Sequence, residues 1–369
     1  MNDVRNLLKE ALGDSRPSPN ALDQTKKRVH RREVNRRIAA GTLAIAVFAG
    51  AAVFAWTAFN IGGTRVPEST PTPAATIEPP VTNGALYYRV ATADGTERVD
   101  AVEPDGTGQR VAFPAGSLPS GGHIAWTTDG RQIAFDGYFG NREGISTADP
   151  DGSAITSITS APNDIWPSWS PDGRMIVFAS TRFYPSVEAC PTGIDLRCPT
   201  DIYVMNADGS GITRLTTDPA AEWNPVWSPD GTQIAFVKGE SEVEVFVMKA
   251  DGSGVQQVTA TEGGSGFAPS WSPDGTKIAF GSIQYEDWGI FAVNADGTNE
   301  RPLLFDNSIY ATNPVWSPDG NLIVFTGSVG SADHTGLYVI RPDGSAVTRI
   351  SSGATGGFTG GVAWQPLPG

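Results

Sequence analysis

Few residues of this chain have side chains suited to chemistry. The 369 residues include three histidines and two cysteines. Two cysteines cannot make a disulfide-stapled scaffold or a four-ligand zinc site, and three histidines leave little material for metal or acid–base chemistry. Asp333 and His334 are adjacent, but no nucleophile is evident beside them and no Gly-x-Ser-x-Gly motif occurs. The composition therefore predicts a protein that is not an enzyme and that binds no cofactor.

A metal site is not predicted either. Asp149-Pro150-Asp151-Gly152 resembles the start of a calcium-binding loop. The twelfth position of such a loop needs a glutamate, and here it holds Ser160. We therefore interpret this segment as a turn.

The distribution of charge along the chain indicates how it is divided into segments. Residues 1–37 carry ten Lys or Arg and five Asp or Glu, which is a net charge of +5. Because the whole chain has a net charge of −14, the remaining residues carry −19. Residues 38–59 form an uncharged run of 22 residues. As a helix this run would rise about 33 Å, which is enough for a hydrocarbon core of roughly 30 Å. The pattern predicts a single transmembrane helix over residues 38–59.

The flanks of this run indicate its orientation. Seven basic residues lie between positions 26 and 37, so the positive-inside rule predicts a cytoplasmic N-terminus and an exported C-terminal part. A cleaved signal peptide is the alternative, although the run is longer than usual for one. Residues 60–82 contain five prolines and are predicted to be an extended stalk, because they have too little apolar surface to fold. The strongly acidic exported part argues against binding of nucleic acid.

From residue 83 onward the sequence repeats itself. Trp-Ser-Pro-Asp-Gly begins at Trp169, Trp227, Trp271 and Trp316, and a degenerate copy begins at Trp126. An alternating apolar run, an Ala-Asp-Gly-type turn and a further short run follow each copy. Four short strands per period of about 45 residues are typical of a β-propeller blade. The Ser-Pro-Asp-Gly copies are predicted to be tight turns, and the Ala-Asp-Gly copies two-residue hairpins of the primed type.

The two ends of the repeat region complete each other. Five periods begin with a Trp-bearing inner strand, whereas residues 85–113 supply three strands of a sixth blade without an inner strand. The C-terminal run around Trp364 supplies one inner strand and nothing else. The sequence therefore predicts an all-β, six-bladed β-propeller over residues 83–369, closed by pairing of its last strand with its first blade.

The motif Pro-x-Trp-Ser-Pro-Asp-Gly-x-x-Ile-Ala-Phe, followed by Ile-Tyr-Val-Met-Asn-Ala-Asp-Gly, resembles the repeats of TolB-type six-bladed β-propellers. The resemblance covers roughly residues 83–369. It implies the fold and a binding role, since such propellers usually act as protein- or ligand-binding scaffolds outside the cytoplasm. The predicted span and stalk depart from that family, so a role in the TolB envelope complex does not follow.

Residues 1–37 have Val4, Leu7, Leu8 and Ala11 at helical spacing. We predict a basic helix that lies on anionic lipid. The layout is also similar to the short cytoplasmic ends of membrane-anchored anti-sigma factors, although their zinc-binding His and Cys pattern is absent. Binding of a sigma factor therefore remains an alternative for this segment.

Cys190 and Cys198 lie in an insertion over residues 181–201, with seven residues between them. Exported cysteines at such a spacing most often form a local disulfide, which we predict here. A redox or metal role for the pair is the alternative.

The loops opposite the Asp-Gly turns vary most and carry aromatic and acidic residues, which suit recognition of a peptide, a glycan or a cationic partner. The position three before each repeat Trp should ring the mouth of the central channel. Together with nearby loop aromatics, these positions give the predicted binding residues His123, Trp166, Trp223, Asn224, Tyr310 and Asn313. The repeat Trp residues themselves are predicted to pack between blades.

Two functions fit these predictions. The first is a membrane-anchored, extracytoplasmic propeller that acts as a non-catalytic binding scaffold for an unknown protein, peptide or glycan. The second is a transmembrane signalling protein, in which occupancy of the propeller alters the cytoplasmic segment.

Overall fold

A computed structural model describes residues 83–92, 96–118, 122–137, 144–161, 163–183, 200–239, 243–260, 264–284, 287–305, 309–329, 335–352 and 358–366. These residues belong to one compact unit, Glu78–Gly369. The predicted cytoplasmic segment, transmembrane helix and stalk (residues 1–37, 38–59 and 60–82) all lie outside the described residues. Within the described ranges, no helix is long and apolar enough to cross a membrane.

The described part of the chain forms 24 β-strands. The first twelve are β1 (Asn83–Ala91), β2 (Glu97–Val102), β3 (Arg110–Phe113), β4 (Ile124–Trp126), β5 (Ile133–Gly137), β6 (Gly144–Ala148), β7 (Thr156–Ser157), β8 (Ile165–Trp169), β9 (Met175–Ser180), β10 (Asp201–Asn206), β11 (Thr213–Arg214) and β12 (Glu222–Trp227). The others are β13 (Gln233–Gly239), β14 (Val243–Lys249), β15 (Gln256–Gln257), β16 (Gly264–Trp271), β17 (Lys277–Gln284), β18 (Asp287–Asn294), β19 (Arg301–Phe305), β20 (Ile309–Trp316), β21 (Ile323–Val329), β22 (Thr335–Ile340), β23 (Thr348–Ser352) and β24 (Phe358–Pro366).

The strands form six four-stranded antiparallel sheets, which are the predicted blades. Blade 1 has the order β24-β1-β2-β3, and blades 2 to 6 each take the next four strands in chain order. The last strand is therefore the inner strand of the first blade, as predicted. Asn83 pairs with Pro366 and Tyr87 with Ala363 across this closure. Since the ring is closed by strand pairing, no blade in it lacks a neighbour.

Hydrogen bonds within the Ser-Pro-Asp-Gly turns explain why this motif repeats. In blade 3, the Ser170 hydroxyl donates to Asp172 Oδ1 at 2.6 Å and accepts the Met175 N–H at 2.9 Å. The Arg174 N–H donates to the same Asp172 oxygen at 3.1 Å. Gly173 takes the left-handed conformation, with φ of 68°. The serine, aspartate and glycine of the motif therefore each satisfy a specific need of the turn.

The prediction of primed two-residue hairpins for the Ala-Asp-Gly turns is wrong. In blade 3 the Gly209 N–H donates to Asn206 O at 2.9 Å. Gly209 has a positive φ of 85°, whereas the central residues Ala207 and Asp208 do not have positive φ values. A primed type I turn would need positive φ at both central residues. The connection is therefore a type I turn followed by a left-handed glycine.

These turn glycines also seat each blade against the preceding one. A Cβ added to Gly252 would lie 2.7 Å from Leu215 O, and one added to Gly344 would lie 2.7 Å from Leu303 O. In both cases the oxygen belongs to the outermost strand, or the residue just after it, in the preceding blade. The glycine is therefore required for its backbone conformation and for close packing between blades.

The repeat Trp residues pack between blades, as predicted. Trp169 of blade 3 lies in a cluster with Ala134 and Ile145 of blade 2. The Trp271 indole N–H donates across the blade boundary to Val226 O at 3.2 Å, and Trp364 does the same to Val315 O. These indoles hold adjacent inner strands together along the channel wall.

Candidate functional site at the mouth of the channel

The inner strands β4, β8, β12, β16, β20 and β24 enclose a cavity of about 1190 Å³ along the axis of the propeller. Its wall includes small residues such as Ala125, Ser168 and Ser270. The turns that follow the inner strands, such as Pro171-Asp172-Gly173, line one end of the cavity, and the other end lies where the inner strands enter from the variable loops. We call the loop end the channel mouth.

Six residues, one from each blade, surround this mouth. They are the residues three positions before each repeat Trp, and all of them line the cavity: His123, Trp166, Asn224, Ala268, Asn313 and Gly361. The repeat period therefore places one variable side chain per blade at the same height around the axis.

The backbone at four of these positions is unusual. Trp166, Asn224, Ala268 and Asn313 have φ values of 55°, 49°, 50° and 51°. Each precedes a proline, and each lies at a register shift, or β-bulge, in its inner strand. A left-handed conformation costs a non-glycine residue about 1–2 kcal/mol. Strain of this kind, repeated at one height of the ring, is typical of ligand-binding positions.

His123 and Trp166 are in contact at the mouth. Their ring centroids are 5.9 Å apart in an edge-to-face arrangement. Burial lowers the pKa of His123, and the nearby Arg89 lowers it further, against an opposing effect of the Asp136 carboxylate. His123 is therefore neutral near pH 7, and its Nδ1 has no hydrogen-bond partner within the described structure.

The two asparagines lie on the other side of the mouth, and both are half-buried. Asn313 Nδ2 lies 3.5 Å from Thr326 Oγ1, at the limit of a hydrogen bond. Their amides can both donate and accept hydrogen bonds, which suits contact with the backbone of a peptide.

The structure separates two of the predicted binding residues from the mouth. Trp223 is 5% exposed and packs in a core cluster with Ile165 and Phe236, so its side chain does not line the cavity. Tyr310 is 53% exposed near the start of β20, on the loop-rich face but outside the cavity lining. Cys190 and Cys198 lie outside the described residues, as do Asp333 and His334.

Sequence reasoning missed two groups of buried charges near the mouth. Asp136 is fully buried and accepts hydrogen bonds from the main-chain N–H groups of His123 and Trp166. Glu222, two residues before Asn224, is 1% exposed and lies 3.9 Å from Lys238 Nζ. The signal for Asp136 was its position: it occupies a repeat site that holds Ala179 in blade 3 and Val237 in blade 4.

Glu222 lies in a partly buried group of charged side chains between blades 3 and 4. Lys238 Nζ lies 2.6 Å from Asp218, while Arg214 lies 2.8 Å from Asp201. Burial raises the pKa of Glu222 to about 7, although a hydrogen bond from Thr216 and the charge of Lys238 both oppose this shift. Glu222 Oε2 has no hydrogen-bond partner in the described structure. Among the described residues, no group of three or more His, Cys, Asp or Glu side chains could hold a metal ion.

The closed ring and its central channel define a six-bladed β-propeller. No protein-family model matches the chain. The Tol-Pal system protein TolB of Anaeromyxobacter dehalogenans strain 2CP-C is 32% identical over 133 residues, which are 36% of this chain and 27% of that protein. An uncharacterized protein of Agrobacterium fabrum is 31% identical over 139 residues, which are 37% of this chain and 42% of that protein. The matched part thus spans less than half of either relative.

Solved structures agree on the fold. TolB from Acinetobacter baumannii superposes with a TM-score of 0.61 at 19% identity, covering 76% of this chain and 66% of that one. An oligogalacturonate lyase from Vibrio parahaemolyticus gives a TM-score of 0.50 at 15% identity, covering 73% and 79%. At these identities the likeness concerns the fold alone. The chain is therefore a six-bladed propeller with TolB-like relatives.

Proposed function

We propose that this protein is a membrane-anchored, extracytoplasmic β-propeller that binds a protein or another ligand at its channel mouth and catalyses no reaction. The observation that carries the proposal is the ring of mouth residues on a rigid, closed scaffold, with left-handed backbone at four of its six positions. Binding sites are typically concave, largely pre-formed and lined by a few oriented polar groups. His123, Asn224 and Asn313 supply such groups here.

The relatives support a binding role. The name of the Anaeromyxobacter relative places that protein in the Tol-Pal system, and we extend from it only the idea of a propeller that binds other proteins. The absence of catalysis is proposed from the mouth itself. The six mouth residues include neither a nucleophile nor a carboxylate, and no described residue bonds His123 Nδ1 to orient it as a general base.

The anchoring part of the proposal rests on the sequence. Residues 38–59 would cross the membrane with residues 1–37 in the cytoplasm, and residues 60–82 would hold the propeller away from the bilayer. Protease added to spheroplasts should then degrade the propeller but protect an epitope fused to the N-terminus. If both parts are protected, the propeller is not exported.

Binding can be tested by photocrosslinking in the full chain. A photoreactive amino acid at Tyr310, on the loop-rich face, should capture a partner, whereas one at Val111, on outer strand β3, should not. Both side chains are about half exposed, at 53% and 49%, so accessibility is matched. Equal capture at both positions would contradict the proposed face.

The mouth itself is tested by Asn224→Ala combined with Asn313→Ala. Ala268 holds the same left-handed position in blade 5 with φ of 50°, so alanine is compatible with this backbone. The double variant should fold normally and lose about tenfold or more in capture at Tyr310, because two hydrogen-bonding groups are removed. Unchanged capture would place the contact elsewhere. Trp166→Ala is less suitable, because Trp166 is also a buried packing residue.

A further inference from the structure

Asp136 breaks the repeat at a buried position that contacts the backbone of the channel mouth. In blades 3, 4 and 5 the residue after the buried phenylalanine of the second strand is Ala179, Val237 or Gly281. Blade 2 has a carboxylate there, and its exposure is 0%. A buried carboxylate is costly unless its oxygens are hydrogen-bonded, so its partners need to be identified.

Both Asp136 oxygens accept main-chain hydrogen bonds from mouth residues. The His123 N–H donates to Oδ1, and the Trp166 N–H donates to Oδ2 with an N···O distance of 2.9 Å. His123 belongs to blade 2 and Trp166 to blade 3. Gly122 permits this approach, because a Cβ at that position would clash with Asp136. One carboxylate therefore holds the backbone of two adjacent blades.

The contacts continue to a third mouth position. The His123 ring lies edge-to-face with Trp166. On its other side it lies over Gly361 of blade 1, where a Cβ would come 2.8 Å from His123 Cδ2. Gly361, His123 and Trp166 are consecutive around the ring, so three of the six mouth positions are packed on one another above Asp136.

We propose that Asp136 is a positioning residue that pre-orders one half of the channel mouth, formed by Gly361, His123 and Trp166. The other half is formed by Asn224, Ala268 and Asn313, whose main-chain N–H groups bond no carboxylate among the described residues, and this half adapts to the ligand. The role of this ordering in binding rests on the proposed function. The ordering of the mouth residues is itself a property of the unliganded protein.

Hydrogen exchange of single amides in the full chain tests the ordering without a ligand. Trp166, Asn224, Ala268 and Asn313 share a left-handed backbone and a following proline, so their amides can be compared within one molecule. The Trp166 amide should exchange about ten to a hundred times more slowly than the other three, because among the described contacts it alone of the four donates to a buried carboxylate. Equal rates at all four positions would overturn the proposal, whereas failure to find a partner would not affect this result.

A variant separates positioning from simple packing. Asp136→Asn keeps the size of the side chain but leaves one oxygen to accept where two are needed, so protection of His123 or Trp166 should be lost. Because the Asp136 charge raises the pKa of His123, His123 should also titrate at lower pH in the variant.

Asp164→Asn is the matched control, since the buried Asp164 bonds the Ser180 hydroxyl and Arg182 but, among the described contacts, no mouth amide. If both variants behave alike, or if Asp136→Asn changes neither readout, the proposal fails. If Asp136→Asn does not fold, the comparison of the four wild-type amides decides alone.

Discussion

Leu86 in β1 lies directly opposite Trp364 in β24, so the first strand of the propeller is paired with its last. Both side chains are buried, and they share a core cluster with Val324 and Leu337 of blade 6. This cluster joins the first blade, the last blade and the closing strand. The stability of the whole ring therefore depends on residues at the far C-terminal end of the chain.

Deletion of residues 361–369 should destabilise the propeller as a unit. The deletion removes the C-terminal half of β24, including Trp364, and exposes the inner edge of β1. Trp364→Ala, a milder change, should cost about 3–5 kcal/mol of unfolding free energy, which is usual for removal of a buried tryptophan. Thermal unfolding followed by circular dichroism measures the effect of the deletion and of Trp364→Ala.

Deletion of residues 367–369 alone, which leaves β24 intact, should have little effect. A melting curve of the longer deletion that matches the intact protein would contradict closure of the ring.

Stability should fall as the pH rises toward neutrality because of Glu222. Its pKa is about 7 in the folded protein and near 4.5 without burial, so the folded state binds the proton more tightly. The stabilisation from the protonated Glu222 is complete below about pH 4.5 and is lost as the pH rises through about 7. This stabilisation is at most roughly 3 kcal/mol of unfolding free energy.

Denaturant unfolding at pH 5 and pH 8 should show a lower free energy of unfolding at pH 8, and Glu222→Gln should reduce the difference between the two pH values. Glu103→Gln, at an exposed position, should leave the profile unchanged. A pH dependence that survives Glu222→Gln would assign it to another group.

Gly252→Ala should destabilise the propeller more than Gly173→Ala. Both glycines are left-handed, with φ of 83° at Gly252 and 68° at Gly173. A Cβ at Gly252 meets Leu215 O at 2.7 Å, whereas a Cβ at Gly173 meets nothing within 4 Å. We expect a cost of about 1 kcal/mol for Gly173→Ala, from the backbone alone, and about 2–4 kcal/mol for Gly252→Ala, from backbone and overpacking together. Chemical denaturation measures both. Equal costs would show that the contact between blades relaxes freely.

Cys190 and Cys198 should be oxidised in the exported protein. A disulfide closing this short loop would stabilise it by roughly 2.5 kcal/mol through the entropy of the unfolded chain. Iodoacetamide should label neither cysteine before reduction and both after it, as counted by mass spectrometry. Labelling of both without reductant would mean that the pair is free.

The sequence by itself determined the number of blades, the Ser-Pro-Asp-Gly turns and the closure. The turn motif works through bonds between residues a few positions apart, such as Ser228 with Asp230, so its chemistry can be recognised in the sequence. The missing inner strand at one end and the spare strand at the other made the closure predictable. The type of the Ala-Asp-Gly turn was not predictable in the same way, because the same residues suit more than one turn and contact with the preceding blade selects between them.

Only the tertiary structure decided which polar side chains serve the channel mouth. The spacing from each tryptophan placed His123 and Asn224 there, but it could not show that Trp223, the residue next to Asn224, faces the core. Nor could it show that Asp136 bonds the amides of His123 and Trp166, since Trp166 lies 30 residues further along in another blade. A repeat fixes the height of a residue in its blade. What that residue meets across the boundary between blades depends on the packing of two copies whose sequences differ.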